Sequence, residues 1–316
     1  MAMKAVAAPT SGKAKLGRRI LARWQLYLLL IVPVAWLVTF AYVPMSGLVL
    51  AFKTYRANLG IWGSPWVGMK NFNAFFSSYK FGMVLKNTLT ISLYSLFVTF
   101  PIPILFALLL NVMPGRRYKK AIQTVTYIPY FFSTVVMVGL LYQLIDPRSG
   151  LYGTMAKLIT GKTPASLLAN GENFKHLYVW SQVWQATGYN AIIYIAALSS
   201  ADQSLHEAAM IDGASRLQRV VHIDVPCILP TVSIMLVLAV GNIMNVGYEK
   251  VLLMQNDLNM NYSEIISTYS YKVGLASGVP NFAQSTAIGL FNSVINFILL
   301  VIANFTSRKL SGSGIF

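Results

Sequence analysis

The stretch "EAAMIDGASRLQRVVHIDVP", residues 207–226, concentrates charge in a chain that otherwise avoids it. Only 11% of the 316 residues are charged and 56% are hydrophobic, whereas a soluble globular chain has roughly 25% charged residues. The composition therefore predicts an integral membrane protein. The charged residues of the stretch, which lies between two apolar segments, are Glu207, Asp212, Arg216, Arg219 and Asp224. The role of this charged stretch is therefore the main question for the function of the protein.

Six apolar stretches are long enough to cross a bilayer as helices, which takes about 20 residues. They cover about 24–44, 87–110, 122–145, 177–199, 228–248 and 283–306, and none contains Asp, Glu, Lys or Arg. The sequence thus predicts an all-α integral membrane protein with a single six-span domain. That domain covers 24–307, between a basic tail at 1–23 and a short tail at 308–316, and its charged stretch belongs to a loop over 200–227.

The distribution of Lys and Arg predicts the orientation, because these residues accumulate in cytoplasmic segments close to span ends. The tail 1–23 has six of them and the short loop 111–121 has four. Both termini, this loop and the charged loop are therefore predicted to be cytoplasmic. The net charge of +16 then reflects topology and contact with anionic lipid headgroups. No nucleic-acid partner is expected, since no nucleic-acid-binding motif is present.

The charged loop has the pattern of two short helices joined by a turn. Leu205, Ala208 and Ala209 can share one helical face, and Gly213 permits a turn with positive φ. A second short helix is expected over 214–222, and Pro226 suits the first turn of the next helix. Such a loop could lie on the headgroups, but interfacial helices are usually rich in Lys, Arg and bulky apolar anchors. Small residues with mixed charge favour docking into another protein.

Two enzyme-like motifs fail on their context. "AKLITGKT" at 156–163 resembles a phosphate-binding loop, but no strand precedes it and the topology places it outside the cytoplasm. "HEAAM" at 206–210 begins like a zinc-protease helix, but Met210 occupies the position of the second His. Three histidines in the whole chain argue against a tetrahedral metal site. The chain is predicted not to be an enzyme and to hold no metal.

The charged stretch resembles the signature of binding-protein-dependent ABC importer permeases, written EAA, three residues, Gly, nine residues and then Ile-x-Leu-Pro. EAA at 207–209 is followed after three residues by Gly213, and nine more lead to Ile223 and Pro226. Only Val225, in place of Leu, departs from the signature. Segments such as "SPWVGMKNFNAFF" at 64–76 resemble the LplB-like branch of the carbohydrate-uptake permeases, and the likeness covers nearly the whole chain.

This resemblance implies a type I ABC importer permease fold with six transmembrane helices and a cytoplasmic coupling helix at 207–213. That helix would dock in a groove of a separate ATP-hydrolysing subunit, with Glu207 pairing with a basic residue there and Gly213 supplying the turn. The implied ATPase-docking residues are Glu207, Ala208, Ala209, Asp212, Gly213, Arg216, Ile223 and Pro226.

The resemblance also implies the partners. They are a homologous second permease subunit in a heterodimer, two ATP-hydrolysing subunits and an extracytoplasmic solute-binding protein that docks on loops 52–83, 146–176 and 249–282. ATP and Mg²⁺ would bind to the ATPase subunits, and this chain would carry no cofactor. The protein is then expected as a multi-pass protein of the bacterial plasma (inner) membrane that imports an oligosaccharide or polysaccharide fragment, including acidic ones.

The charge-free spans suggest where energy and substrate enter. Proton-coupled carriers need an ionisable residue within the membrane, and the predicted spans have none, although backbone carbonyls could still bind Na⁺. The candidate substrate-pathway residues are polar or aromatic: Tyr127, Tyr130, Trp184, Gln185, Tyr189, Asn190, Asn242, Asn245, Tyr248, Asn292 and Asn296. Interhelical hydrogen bonding is the alternative for each of them. An ion-coupled secondary carrier and a membrane scaffold without a pore remain alternatives for the whole chain.

Overall fold

The computed structural model describes residues 22–311, with side chains up to residue 309. Within this range the chain consists of helices, turns and extended connections, with two isolated β-bridges, Lys53 to Trp66 and Arg56 to Gly60. The all-α prediction is confirmed. The predicted tails at 1–23 and 308–316 lie largely outside the described residues.

The helices are named here in chain order. They are α1 (Trp24–Phe52), α2 (Gly60–Gly63), α3 (Lys70–Phe76), α4 (Phe81–Val112), α5 (Arg116–Phe131), α6 (Thr134–Ile145), α7 (Leu151–Thr160), α8 (Phe174–Leu198), α9 (Gln203–Ile211), α10 (Arg216–Gly241), α11 (Tyr248–Met254), α12 (Met260–Ser263), α13 (Ile266–Tyr271) and α14 (Phe282–Ser311). Several of the long helices include short 3-10 or π turns.

Four helices of the described range, α1, α4, α10 and α14, are long and apolar enough to cross a membrane. Helices α5 and α6 meet this criterion together, although they are bent by 104°. Helix α8 has 25 residues, but its composition is more polar because residues such as His176, Gln182 and Gln185 interrupt the apolar sequence. By length and composition, residues 22–311 therefore contain four or five candidate spans.

The third predicted span, 122–145, is divided in the structure. Helix α5 starts earlier, at Arg116, and ends in a 3-10 turn that contains Pro129. Phe132 and Ser133 are extended, and the Ser133 hydroxyl caps α6 by accepting the N–H of Val136 at 3.3 Å. The backbone thus changes direction where a side-chain oxygen can replace the missing helical acceptor.

The fifth predicted span, 228–248, also has different ends. Helix α10 stops at Gly241, where an added Cβ would lie 2.4 Å from a methyl carbon of Leu300 on α14. Beyond it, the Asn296 side chain accepts the N–H of Met244 at 3.0 Å and holds a non-helical turn. The spacing of Asn242 and Asn245, two of the candidate pathway residues, predicts that they share one helical face; this prediction is wrong, because the helix ends before both residues.

Helix α8 lies at the centre of the helices and α1 at the periphery. Tyr178 and Val179 of α8 belong to one buried apolar cluster, and Ala191 and Tyr194 belong to another. No residue of α1 before its last 3-10 turn is buried, and only that turn, which includes the buried Ala51, packs against α14. A fully apolar helix that the chain itself leaves uncovered requires lipid or another subunit.

A buried carboxylate joins the start of α4 to the segment before α13. The two oxygens of Glu264 contact the ammonium groups of Lys80 at 2.9 Å and Lys272 at 3.1 Å. The Glu264 side chain is 0% exposed, whereas both lysines retain contact with solvent. Burial alone would lower the pKa of Lys80, but the hydrogen bond and the charge of Glu264 raise it overall. The pair of lysines compensates the desolvation of the carboxylate.

Lys250, on α11, is buried without a carboxylate partner among the described residues. Its ammonium group donates to the carbonyl of Tyr178 at 3.2 Å and lies 4.9 Å from the centre of the Tyr178 ring. Burial lowers the pKa of Lys250 from 10.5 to about 8. Between these two values the unfolded chain binds more protons than the folded one, so the free energy of unfolding rises with pH.

This shift predicts a pH-dependent stability that the substitution Lys250→Met removes. On raising the pH from 7 to 9.5, the wild-type protein should gain about 2 kcal/mol from this group, and the variant should lack that gain. The measurement is the apparent melting temperature of the detergent-purified protein, followed by tryptophan fluorescence at both pH values. Lys157→Met, at an exposed position on α7, is the control. Equal pH dependence in wild type and Lys250→Met would contradict the assignment.

Candidate functional site

Helix α9 is a short helix with a defined start and end. The Asp202 carboxylate caps its first turn by accepting the N–H of Ser204 at 2.9 Å. At its end the N–H of Ala214 reaches the carbonyl of Ala209 at 2.8 Å, and that of Gly213 reaches Met210 at 3.1 Å. This hydrogen-bond pair is a Schellman motif, which requires a left-handed residue. Gly213 supplies it with φ +78°, as the sequence predicts.

The second helix of the charged loop does not end before the next span. A capping box between Ser215 and Gln218 starts it, and a π-helical turn at Val220–Asp224 joins it to the α-helical segment Val225–Gly241. Pro226 does lie in the first turn of that segment. The expected separate helix over 214–222 is thus the first part of α10, because the π turn keeps the backbone helical up to the proline.

The loop presents its signature residues at the surface. Helix α9 has no buried residue, and its side chains include the exposed Leu205 and Ile211, the latter 87% exposed. Glu207 forms no salt bridge within the described residues. Of the predicted docking residues, Glu207, Ala208, Asp212, Gly213, Arg216 and Pro226 are exposed, and Ala209 and Ile223 are half-buried. An exposed apolar and acidic helix of this kind is available for a protein partner.

One buried carboxylate connects α9 to the long helices α4 and α10. Asp224, 1% exposed, contacts the Nε2 atom of His206 on α9 at 3.3 Å and accepts a hydrogen bond from the Asn111 amide at 3.1 Å. These residues join α9, the π turn of α10 and the end of α4. From the sequence, His206 was considered only as the first residue of a zinc-protease motif that lacks its second His. The sequence signal that could have identified this contact is Asp224 itself, an acid one residue after Ile223 at the start of an otherwise apolar segment.

A second site is a cavity of about 690 Å³ between α4, α8 and α10. Its walls are mainly apolar, and three of the predicted pathway residues line it: Tyr189, Asn190 and Asn242. The lining contains no Lys, Arg, His, Asp or Glu. An aromatic face and amide groups without charge suit a polyhydroxylated solute, which offers both hydroxyl groups and apolar ring faces.

The aromatic wall of this cavity depends on a close helix contact. The rings of Tyr130 and Tyr189 stack with centroids 3.6 Å apart and planes 4° from parallel. Gly188, the residue before Tyr189, allows α8 to approach α5, since an added Cβ would lie 2.3 Å from the carbonyl oxygen of Thr126. The Gln185 amide donates to the Phe132 carbonyl at 3.3 Å, at the bend between α5 and α6.

A smaller cavity of about 170 Å³ adjoins the first and shares Asn242 with it. It includes Asn245, a predicted pathway residue, and three polar side chains that the sequence analysis missed: Ser92, Ser95 and Gln182. Ser92 Oγ, Ser95 Oγ and Gln182 Oε1 are buried without a partner among the described residues. The three-residue spacing of the serines on one helical face was the signal that could have identified them.

The remaining pathway candidates lie elsewhere or form structural hydrogen bonds. Asn292 donates to Asn245 Oδ1 at 3.0 Å, and Asn296 accepts from the Met244 backbone. Both geometries favour the interhelical alternative for Asn292 and Asn296. Trp184 lines a separate apolar cavity together with Trp180. Neither of the two adjoining cavities is lined by Tyr127 or Tyr248.

Among residues 22–311, no group of three or more His, Cys, Asp and Glu side chains is arranged to hold a metal ion. The phosphate-loop-like segment 156–163 forms the last turns of α7, which ends at Gly161 in the left-handed conformation. It therefore follows a helix instead of preceding one, and no helix N-terminus is available to its glycine.

Residues 99–312 match the family described as binding-protein-dependent transport system inner membrane component. Protein LplB of Bacillus subtilis (strain 168) is 38% identical over 294 residues, which cover 93% of this chain and 91% of LplB. The polygalacturonan/rhamnogalacturonan transport system permease protein YteP of the same strain is 38% identical over 298 residues, which cover 94% of this chain and 92% of YteP.

Solved structures agree with the sequence relatives. A chain in the crystal structure of a bacterial alginate ABC transporter in complex with alginate pentasaccharide-bound periplasmic protein has a TM-score of 0.86 and 36% sequence identity, covering 95% of this chain and 100% of that chain. The family resemblance inferred from the charged loop is thus confirmed. The chain belongs to the family of binding-protein-dependent transport system inner membrane components and is similar to ABC importer permease subunits.

Proposed function

We propose that this chain is the permease subunit of an ABC importer that translocates an oligosaccharide or polysaccharide fragment delivered by a solute-binding protein. The observation that carries this proposal is α9, a helix with no buried residue that holds the EAA signature beside the spans. The substrates named for the relatives, rhamnogalacturonan, polygalacturonan and alginate, support a carbohydrate and include an acidic polysaccharide.

In this proposal the domain has six spans of the type I importer fold. The span that joins the five candidates described above is α8. Its 25 residues are long enough to cross the bilayer, and its central position shields its polar side chains from lipid. Both termini, the loop between α4 and α5, and α9 then lie in the cytoplasm, and the protein is a multi-pass component of the bacterial plasma (inner) membrane.

Helix α9 acts as the coupling helix. Its exposed Leu205 and Ile211 enter a groove of the ATP-hydrolysing subunit, and the unpaired Glu207 meets a basic residue there. Arg216, Ile223 and Pro226 form the remainder of the docking surface. Movement of α9 reaches the spans through the contacts of Asp224 with His206 and Asn111. ATP and Mg²⁺ bind to the two ATPase subunits, so this chain needs no cofactor.

The two adjoining cavities form this subunit's part of the substrate pathway. Tyr189 offers an aromatic face for a sugar ring, and Asn190 and Asn242 offer amide hydrogen bonds. The unpartnered oxygens of Ser92, Ser95 and Gln182 can bind sugar hydroxyls or water. Because the cavity lining carries no charge, the carboxylates of an acidic sugar would be bound by hydrogen-bond donors or by residues of the second permease subunit.

A homologous second permease subunit forms a heterodimer with this chain and completes the pore. The same subunit can cover the exposed α1. The solute-binding protein docks on the extracytoplasmic segments 52–83, 146–176 and 249–282. The alternative of an ion-coupled secondary carrier is not favoured by the relatives, which include a transport system permease protein and a chain of an ABC transporter.

The docking role predicts that Glu207→Lys reduces sugar uptake at least about tenfold, since it reverses a charge in the interface and costs more than about 1.4 kcal/mol. ATP hydrolysis by the assembled complex should no longer respond to the loaded binding protein. Both quantities are measured in proteoliposomes, with co-purification of the ATPase subunits as the test of assembly.

The substitution Gly213→Ala tests the turn after α9 without changing the side chains that would contact the ATPase subunit. The added methyl group meets open space, but it must adopt a φ of +78°, which costs about 1 kcal/mol. We expect impaired coupling in Gly213→Ala. The control Gly139→Ala should couple normally, because φ is not positive there and the space around the added methyl group is equally open. Normal uptake by well-assembled Glu207→Lys and Gly213→Ala transporters would refute the docking role.

The pathway role predicts that Tyr189→Leu and Asn190→Leu each lower the transport rate about tenfold at saturating loaded binding protein, through loss of one ring contact or one hydrogen bond. The Asn190 side chain is exposed and forms no hydrogen bond within the described residues, so its replacement should leave folding unchanged. Tyr42→Leu on the exposed α1 is the matched control. Equal rates in all three variants would assign Tyr189 and Asn190 to packing alone.

A further inference from the structure

A polar cavity of about 540 Å³ lies beside α9, apart from the two cavities of the proposed pathway. It is bounded by the end of α4, by α5, by the end of α8, by α9 and by the first turn of α10. The charged or titratable residues in its lining are Lys119, His206, Arg216, Arg219 and Asp224. Three permanent cations thus face one carboxylate.

The carboxylate does not neutralise these cations. Asp224 is already used by His206 and Asn111, at 3.3 and 3.1 Å, and none of the three cations forms a salt bridge within the described residues. Lys119 donates one of its three N–H groups to the Asn111 carbonyl at 2.9 Å, which leaves two for another acceptor. The neighbouring acids Asp202, Glu207 and Asp212 do not line the cavity.

Arg219 adds an independent indication of a missing ligand. Its Nε atom is enclosed and has no hydrogen-bond partner among the described residues. An enclosed donor on a charged group without an acceptor costs more than about 1 to 3 kcal/mol, and turning the Arg219 guanidinium towards an anion in the cavity would remove that penalty. Because Lys119 and Arg219 come from different helices, an anion that contacts both must offer at least two acceptor oxygens.

From this geometry we propose that the cavity binds a phosphate group on the cytoplasmic side, using the orientation proposed above. A phosphate group offers two or more charged acceptor oxygens to both cations at once, and Arg side chains are preferred partners of phosphate. The group belongs either to an anionic lipid, since basic pockets between membrane helices bind phospholipid headgroups, or to a free phosphate compound of the cytoplasm. Its binding fixes α5 relative to α10 next to the coupling helix.

The test uses the complete transporter in nanodiscs. One arm titrates inorganic phosphate against chloride at matched ionic strength in neutral phosphatidylcholine, and the other compares phosphatidylcholine with a 3:1 mixture of phosphatidylcholine and phosphatidylglycerol. The readout is the apparent melting temperature and the concentration of half-maximal shift. A shift with inorganic phosphate assigns a free phosphate compound, and a shift with phosphatidylglycerol alone assigns a lipid; either result supports the site.

The variant Lys119→Gln/Arg219→Gln should weaken that response about tenfold or more, because it removes two charged donors. Lys120→Gln, at an exposed position beside Lys119 that does not line the cavity, should leave it unchanged, and Arg219→Lys should retain part of it. No response in either arm overturns the proposal. So does a response of the isolated permease pair that the ATPase subunits abolish, since the cavity would then be filled by the ATPase. Sugar uptake, measured in parallel, tests the proposed function separately.

Discussion

The contact of Asp224 with His206 and Asn111 is the interaction on which the arrangement of the charged loop depends. A buried carboxylate is stable only if its acceptors are satisfied, and here Asn111 of α4 donates to it while the Nε2 atom of His206 on α9 lies 3.3 Å away. The loop is consequently attached to the spans at one point, while the rest of α9 remains at the surface. A helix attached in this way can transmit a displacement to α4 and α10 without losing its own exposed face.

Charge and polarity are divided between the regions of the chain according to their surroundings. Ionic contacts occur at the ends of spans, as in Glu264 with its two lysines and in the cation-rich cavity beside α9. The cavities between the helices instead contain uncharged hydroxyl and amide groups. Ionic groups within the bilayer are expensive, whereas hydroxyls and amides are tolerated when they pair with each other or with a solute. In the proposed mechanism the pathway therefore stays neutral, and the forces that move it act from outside the membrane.

The sequence was sufficient for the features that depend on local chemistry. Hydropathy predicted the long helices, the glycine of the signature predicted the left-handed turn at Gly213, and the family resemblance followed from six fixed positions. Exposure of the loop could also be predicted, because small residues with mixed charge favour docking into another protein over burial within the chain. Each of these conclusions uses residues that are neighbours in the chain.

The features that failed or were missed depend on contacts between distant segments. Helix α10 ends at Gly241, which packs closely against Leu300, and the turn after it is held by Asn296. Asparagine near a helix end can equally extend the helix, bind a solute or cap a distant backbone, and its own sequence does not distinguish these uses. The same applies to the unpartnered serines of α4. Their function depends on which helix lies opposite, so a polar residue in a span acquires a meaning only when the packing of all spans is known.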